Sequence, residues 1–411
     1  MRQAPVWRRW IPTARQIRFF VQLRIARLFP EYARKYNFYS KQSDLSEFSQ
    51  KIVAQWKDES ECALNEAQMV FLQQFADLEK LKSKTGLRID GVVEGTLYKL
   101  SKCYVLGHSG SSIIRGDKSQ VEDLQHNTAR FRKLETVHLN GTVSNFLGLP
   151  KGHKHYYMFI SHILPQFIRL CEEVSGNYDK ITVLVRSDLS SFQRNIFSYL
   201  QKLYPFLEFA ITSETERYAC ENLIFLSEQR ANNFRSPPSR ISANKVSAYF
   251  KRSYGILEGV RPYRKIYVSR RDARIRRILN EEQLEKFLLR KGFDIICPGE
   301  LSHPEQVKIF NEAKVIIGAH GAGLTNILFS QSGGVVLELL PRNYVQSAYM
   351  WISVLKNQSY TPILCELGGA HQHFSVSAKA FMELERTLDG IQCHPISLKR
   401  NSTKSDLLPF S

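Results

Sequence analysis

The stretch Val315-Ile-Ile-Gly318-Ala-His320-Gly321-Ala322-Gly323-Leu-Thr-Asn326 decides how this chain is read. Its first residues are β-branched and apolar, the pattern of a short buried strand. A glycine-rich turn follows, and the apolar residues beyond it predict a helix over about 323–331. Strand, glycine turn and helix in that order present free backbone N–H groups and the positive end of a helix dipole, which is an anion site. Glycines at 318, 321 and 323 let the backbone turn tightly and approach a ligand closely. The spacing is neither GxGxxG nor GxxxxGK[ST], so the dinucleotide and P-loop readings lose ground. For the loop alone, a tight strand–helix turn without a ligand remains the alternative.

The residues on either side extend the pattern. Lys265-Ile-Tyr-Val268 predicts a strand, and Ser269, Arg270, Arg271, Arg274, Arg276 and Arg277 follow its carboxyl end. Arginine suits bidentate recognition of phosphate, although most such arginines could equally be a solvated basic loop. Asn280 is expected to cap a helix, with Glu281 and Glu282 in its first turn, Gln283 at the capping-box position and Gly292 as the stop. Asp294-Ile-Ile296 reads as the next strand. Ser302-His-Pro-Glu305 reads as a capping box with proline in the first turn. Val335–Leu339 is the strand after the glycine loop, stopped by Pro341. Ligands of open parallel sheets bind beyond the carboxyl ends of the strands. Glu338 near such an end could accept both hydroxyls of a ribose, or be an exposed strand-end acid.

Earlier in the chain, strand-like runs occur at Tyr104-Val-Leu106, Ile181–Val185 and Leu223–Leu226, with a helical pattern at 189–203 between them. Strands alternating with helices argue for a parallel α/β architecture. Residues 44–84 read as a polar helix. Residues 230–240, with Pro237-Pro238 among polar residues, are the linker candidate. The chain divides accordingly into a basic helical extension (1–90), a first α/β domain (91–235) and a second (236–411).

The 411 residues allow two or three domains, and 43% hydrophobic with 23% charged residues is an ordinary globular composition. Lys and Arg total 57 against 39 Asp and Glu, a net charge of +18, which points to an acidic partner. Residues 1–41 hold ten of those cations and the single acid Glu31, a net +9, interleaved with Trp7, Trp10, Phe19, Phe20 and Phe29. That segment is expected either on an anionic membrane surface or as a solvated or packed basic helix. The seven cysteines are odd in number and widely spaced, which predicts reduced thiols rather than a disulfide frame or zinc site. No apolar run approaches the roughly 18 residues of a membrane span. The protein is therefore expected to be cytoplasmic, peripheral on the inner face of the membrane.

The pieces YVSRRDARIRRILNEEQL, SHPEQVKIF, VIIGAHGAGLTNILF and VVLELLP, in order from Tyr267 to Pro341, resemble glycosyltransferase family 61. His155-Tyr-Tyr-Met-Phe-Ile-Ser-His-Ile-Leu-Pro165 is similar to that family's N-Y-x-H-W-x-x-D/E-x-L-P segment. The resemblance covers roughly 150–345 and implies a GT-B fold, two Rossmann-like domains facing across a cleft. It implies inverting transfer of a sugar from a nucleotide donor, usually a uridine diphosphate sugar, to a glycan or glycolipid acceptor in surface polysaccharide synthesis. By matched position, Arg270 and Arg277 would contact the donor diphosphate, with Ser269 and Asn326 beside them. Gly321, Ala322 and Gly323 would cradle it, His320 would stand beside the cleft and Glu338 would hold the ribose. Gln306 also matches, with a role that could be structural.

One departure bears on chemistry. Met158 stands where the family has His, and His162 where it has an acid. Inversion needs a base for the acceptor hydroxyl, and His serves near neutral pH. His162 is the candidate base, or a histidine on an apolar helix. The pairs His153/His155 and His371/His373 are taken as surface residues. No Asp-x-Asp occurs, so no metal cofactor is expected, and arginines would neutralise the leaving group. Two rival classes stay open. One is a nucleotide-binding module with a degenerate active site. The other, a nucleic-acid-binding protein, lacks a recognition motif, so no nucleic-acid partner is expected.

Overall fold

The computed structural model describes residues 51–58, 93–107, 112–114, 135–146, 154–230, 239–257, 259–368 and 370–393. Two sheets with helices between and around them form an α/β architecture. The first contains β1 (Lys51–Asp58), β2 (Val93–Leu106), β3 (Ser112–Ile114), β4 (Glu135–Asn145), β5 (Ile181–Arg186), β6 (Leu207–Thr212) and β7 (Glu216–Arg230). Its order is β1-β2-β7-β4-β5-β6, with β3 beside β2. β4, β5, β6 and β7 run parallel, but β1, β2 and β3 join antiparallel. The parallel α/β pattern expected here is thus realised as a mixed sheet in this half. The cause is the length of β2 and β7, which pair from Val93↔Arg230 to Leu106↔Arg217.

The second sheet contains β8 (Arg264–Val268), β9 (Asp294–Ile296), β10 (Ala313–Ala319), β11 (Val335–Pro341), β12 (Ser359–Leu367) and β13 (Phe374–Ser375), in the order β13-β12-β11-β10-β8-β9. All but β13 run parallel. A parallel strand covered on both faces needs apolar residues at successive positions. β11 meets that demand, being buried from Val335 to Pro341. One face packs Tyr267, Leu337 and Phe374 against Leu384 and Leu388 of the helix Ala378–Cys393. The other shares one apolar core with the first sheet's helices, where Phe167, Phe250, Phe310, Ile327 and Phe329 meet.

Four helices position the site. α1 is continuous from Tyr156 to Val174, with a π-helical turn at Phe159–Ile163. α2 is Ser191–Leu203, α3 is Arg240–Ser253 and α5, after α4 (Glu281–Arg290), is His303–Glu312. The capping box of α5 forms as expected, Glu305 accepting from both the backbone and the hydroxyl of Ser302. Gly292 ends α4 with a positive φ of 78°. Asn280 precedes that helix but does not cap it. Its amide instead donates to Val376 O and accepts from Val376 N, both at 2.9 Å, as a strand neighbour would.

Two further expectations are corrected. Lys51–Asp58, read as part of a polar helix over 44–84, is a strand paired with β2. Ile52, Val53 and Trp56 carry strand propensity, and the long edge of β2 supplies the partner. The helix expected over 323–331 is a 3₁₀ helix, Ala322–Phe329. Every side chain from Leu324 to Phe329 is buried. The basic segment 1–41, the rest of the polar helix and the Pro237-Pro238 linker lie outside the described residues. The cysteines at 103, 171, 220, 297 and 365 are free and buried. Among the described residues no helix is long and apolar enough to cross a membrane.

Candidate active site

The carboxyl ends of β8 and β10 lie side by side, with Val268 in register with Gly318. A Cβ at Gly318 would stand 2.8 Å from Leu324 and 3.1 Å from Val268, so glycine here lets the 3₁₀ turn fold back on the strand. Gly323 is also closely packed, a Cβ there meeting the Pro298 ring at 3.1 Å and Val268 at 3.2 Å. Gly321 is different. Its backbone is extended, and a Cβ would overlap the guanidinium of Arg270. Arg270 therefore lies directly on the glycine loop.

That arginine is held from behind. The buried Glu281 carboxylate accepts at one oxygen from Tyr267 (2.8 Å), from the Ser269 hydroxyl (2.9 Å) and from Arg270 N (2.9 Å). Read from sequence, Glu281 was merely a helix start; it organises the turn after β8. The Arg270 guanidinium donates to Ile275 O at 3.0 Å, while its Nε is buried without a partner. Burial and, second, the charge of Arg276 hold Arg270 below the usual arginine range. Among the described residues no carboxylate makes an ion pair with Arg270, Arg274, Arg276 or Arg277.

Arg276 reaches the loop from the other side. Its Nε donates to His320 O at 3.2 Å, and its guanidinium lies 4.7 Å over the Tyr344 ring. Its backbone is left-handed, φ 54°, a conformation worth on the order of 1–3 kcal/mol of strain. His371 O accepts from its amide and holds it there. Arg277 is exposed, and its backbone bonds to His373 and Phe374. Arg276 is thus the second arginine that the structure brings to the loop, a residue that adjacent arginines in sequence could not single out.

His320 is buried, and its Nδ1 lies 2.5 Å from Glu338 Oε1. The other Glu338 oxygen accepts from Tyr360 at 2.6 Å. Glu338 has no exposed surface at all, so in this geometry its carboxylate faces the imidazole and the phenol rather than a cleft. His320 Nε2 has no hydrogen-bond partner among the described residues. Tyr344 and Tyr349 flank the ring at 5.4 and 4.9 Å.

His162 sits in the π-helical turn, 6% exposed, with its ring 5.5 Å from that of Tyr157. Tyr157 contacts Tyr349 at 5.9 Å, so one aromatic wall connects both histidines singled out in the sequence. Met158 is half-buried against the shared core. Asn326 is fully buried and spends both ends of its amide on the protein, accepting from Tyr156 and donating to Gln306 Oε1 at 2.8 Å. His155 and His371 are exposed, and His373 accepts from Arg277 N.

Arginines that make no ion pair among the described residues, over a glycine loop at the strand ends of an α/β sheet, define a site suited to an anionic ligand. The family model for Glycosyltransferase 61 matches residues 154–337 of the chain. It is similar to Xylan glycosyltransferase MUCI21 of Arabidopsis thaliana, 33% identical over 69 residues, which are 16% of this chain and 14% of that protein. It is also similar to Beta-1,2-xylosyltransferase RCN11 of Oryza sativa subsp. japonica, 34% identical over 89 residues, 22% of this chain and 16% of that protein. The match thus spans a small part of the length of either relative.

Proposed function

We propose that this protein is an inverting glycosyltransferase of GT-B type. In this reading it moves a sugar from a nucleoside diphosphate, taken to be uridine diphosphate (UDP), to a glycan or glycolipid acceptor for a surface polysaccharide. The observation that carries the reading is the convergence of Arg270 and Arg276 on the Gly321 loop, neither of them in an ion pair among the described residues. Two like charges held together are stabilised when an anion with several oxygens lies between them. The name of the rice relative, a xylosyltransferase, makes UDP-xylose the first donor to try.

The acceptor hydroxyl gives its proton to His320 Nε2, and its oxygen attacks the anomeric carbon from the face opposite the diphosphate. The bond from that carbon to the β-phosphate oxygen breaks, and its electron pair stays on the diphosphate. Arg270, Arg276 and the amides of 321–323 receive that charge, without a divalent metal in this reading. Glu338 holds Nδ1 and stabilises the imidazolium that forms, as carboxylates do for catalytic imidazoles. The base is then His320, with His162 as the comparison. Residues 1–41, with their +9 charge, would rest on an anionic membrane surface.

The test is release of UDP from a panel of UDP-sugars with candidate acceptors, in excess chelator. The reading expects turnover with at least one donor, lost in His320→Ala and retained in His162→Ala. Turnover by His320→Ala at the wild-type rate would overturn the assignment of the base. Turnover that vanishes in chelator and returns with magnesium or manganese would overturn the arginine mechanism.

A further inference from the structure

A chain of hydrogen bonds runs from beyond the carboxyl end of α3 to the support of the glycine loop, and its direction follows atom by atom. It is anchored on the carbonyls of Pro298 and Leu301, which can only accept. Gln306 Nε2 donates to them at 2.8 and 3.2 Å. Gln306 Oε1 must therefore be the acceptor for Asn326 Nδ2, 2.8 Å away. Asn326 Oδ1 is then an acceptor, and it takes the one proton of the Tyr156 hydroxyl. The Tyr156 oxygen consequently accepts from His303 Nε2 at 2.8 Å. A neutral imidazole has one N–H, so Nδ1 accepts, and the Tyr254 hydroxyl at 2.8 Å donates to it.

The imidazole is neutral because of where it lies. Phe192 stacks on it at 4.6 Å, and Phe250 and Phe329 close on it at 4.9 and 5.8 Å. This burial lowers its pKa to about 3. Tyr156 opens α1 and Tyr254 follows α3, whereas Asn326 lies in the 3₁₀ turn that continues the glycine loop. Pro298, whose carbonyl ends the chain of bonds, packs against Gly323. The loop is thus secured at Asn326 from one side and at Pro298 from the other, and both holds pass through Gln306 to Tyr156 and His303.

We propose that His303 is a positioning residue. Through Tyr156, Asn326 and Gln306 it holds the loop 318–323 in the geometry that accepts a nucleoside diphosphate. This rests on the reading of that loop as the donor site. His303 lies on α5, outside the glycine loop, and belongs to neither the arginine pair nor the His320–Glu338 pair.

The experiment is calorimetric titration of UDP into the full chain and its variants, at a temperature where circular dichroism shows each folded. Tyr156→Phe and His303→Leu leave a buried acceptor or donor unpaired and should raise the Kd for UDP about tenfold. His303→Gln places an amide donor where Nε2–H was and should recover most of that loss. A residue that merely fills the core would lower the melting temperature and leave the Kd of the folded protein unchanged. That result in Tyr156→Phe and His303→Leu overturns the inference while the donor site stands. Should both fail to fold, Tyr254→Phe, which removes only the outermost donor, decides by the same criterion. If the wild-type protein binds no UDP, the donor-site reading falls, and this inference with it.

Discussion

Acidification should destabilise this protein by an amount that His303 makes calculable. In the unfolded chain a histidine titrates near 6.5, whereas in the fold burial lowers His303 to about 3. Between those values the unfolded state binds a proton that the folded state does not. Stability from this group is therefore complete above about pH 6.5 and falls as pH drops toward 3. From pH 7 to pH 5 the loss is about 2 kcal/mol, since each unit of pKa difference is worth about 1.4 kcal/mol. For a chain of this size that corresponds to a fall in Tm on the order of 2 °C. The groups packed on the imidazole are Tyr156, Tyr254, Phe192, Phe250 and Phe329, none of which changes charge in this window. The assay is thermal unfolding of wild type and His303→Gln at both pH values. The variant has no titrating group at this site, so its Tm should fall less by that margin. An equal fall in both proteins would refute the reasoning.

Gly321→Val would drive a branched side chain into the Arg270 guanidinium, so calorimetry should show loss of UDP binding with an unchanged circular dichroism spectrum. Arg276→Ala removes a guanidinium that already points at the loop and should weaken UDP by about 10- to 100-fold, as loss of a charge-assisted hydrogen bond does. Arg277→Ala, at an exposed position, should leave the same titration near wild type. Glu338→Gln keeps the shape of the side chain but removes the charge facing His320 Nδ1. Turnover should fall by about 10²-fold or more while UDP affinity holds, and equal losses in both would return Glu338 to a ribose-binding role.

Local pattern carried much of the second sheet. Val315–Ile317 and Val335–Leu339 are runs that only a doubly covered strand would need, and Ser302 and Glu305 form the capping box that their spacing announces. The long antiparallel pairing of β2 with β7 was not legible, because its partners lie more than a hundred residues apart. Lys51–Asp58 mixes polar and apolar residues in a way that suits a helix until a strand edge is present to pair with. The site divides in the same manner. Arg270 and the glycines announce themselves by type and spacing. Glu281 reads as a helix start and Glu338 as a ribose ligand or an exposed strand-end acid, since burial is a property of the packed neighbours and not of the residue. His303 reads as a first-turn helix residue, since its partner Tyr156 is 147 positions away. Arg276 could not be told from Arg277 without the left-handed turn that aims it.

The most direct test of the donor site is titration of UDP, in excess chelator, into the wild-type protein and into Arg270→Ala/Arg276→Ala. The account predicts saturable binding at a single site by the wild-type chain and its loss in the double variant, with both proteins equally folded. Binding that survives in the double variant, or no binding of UDP by the wild type, would contradict it.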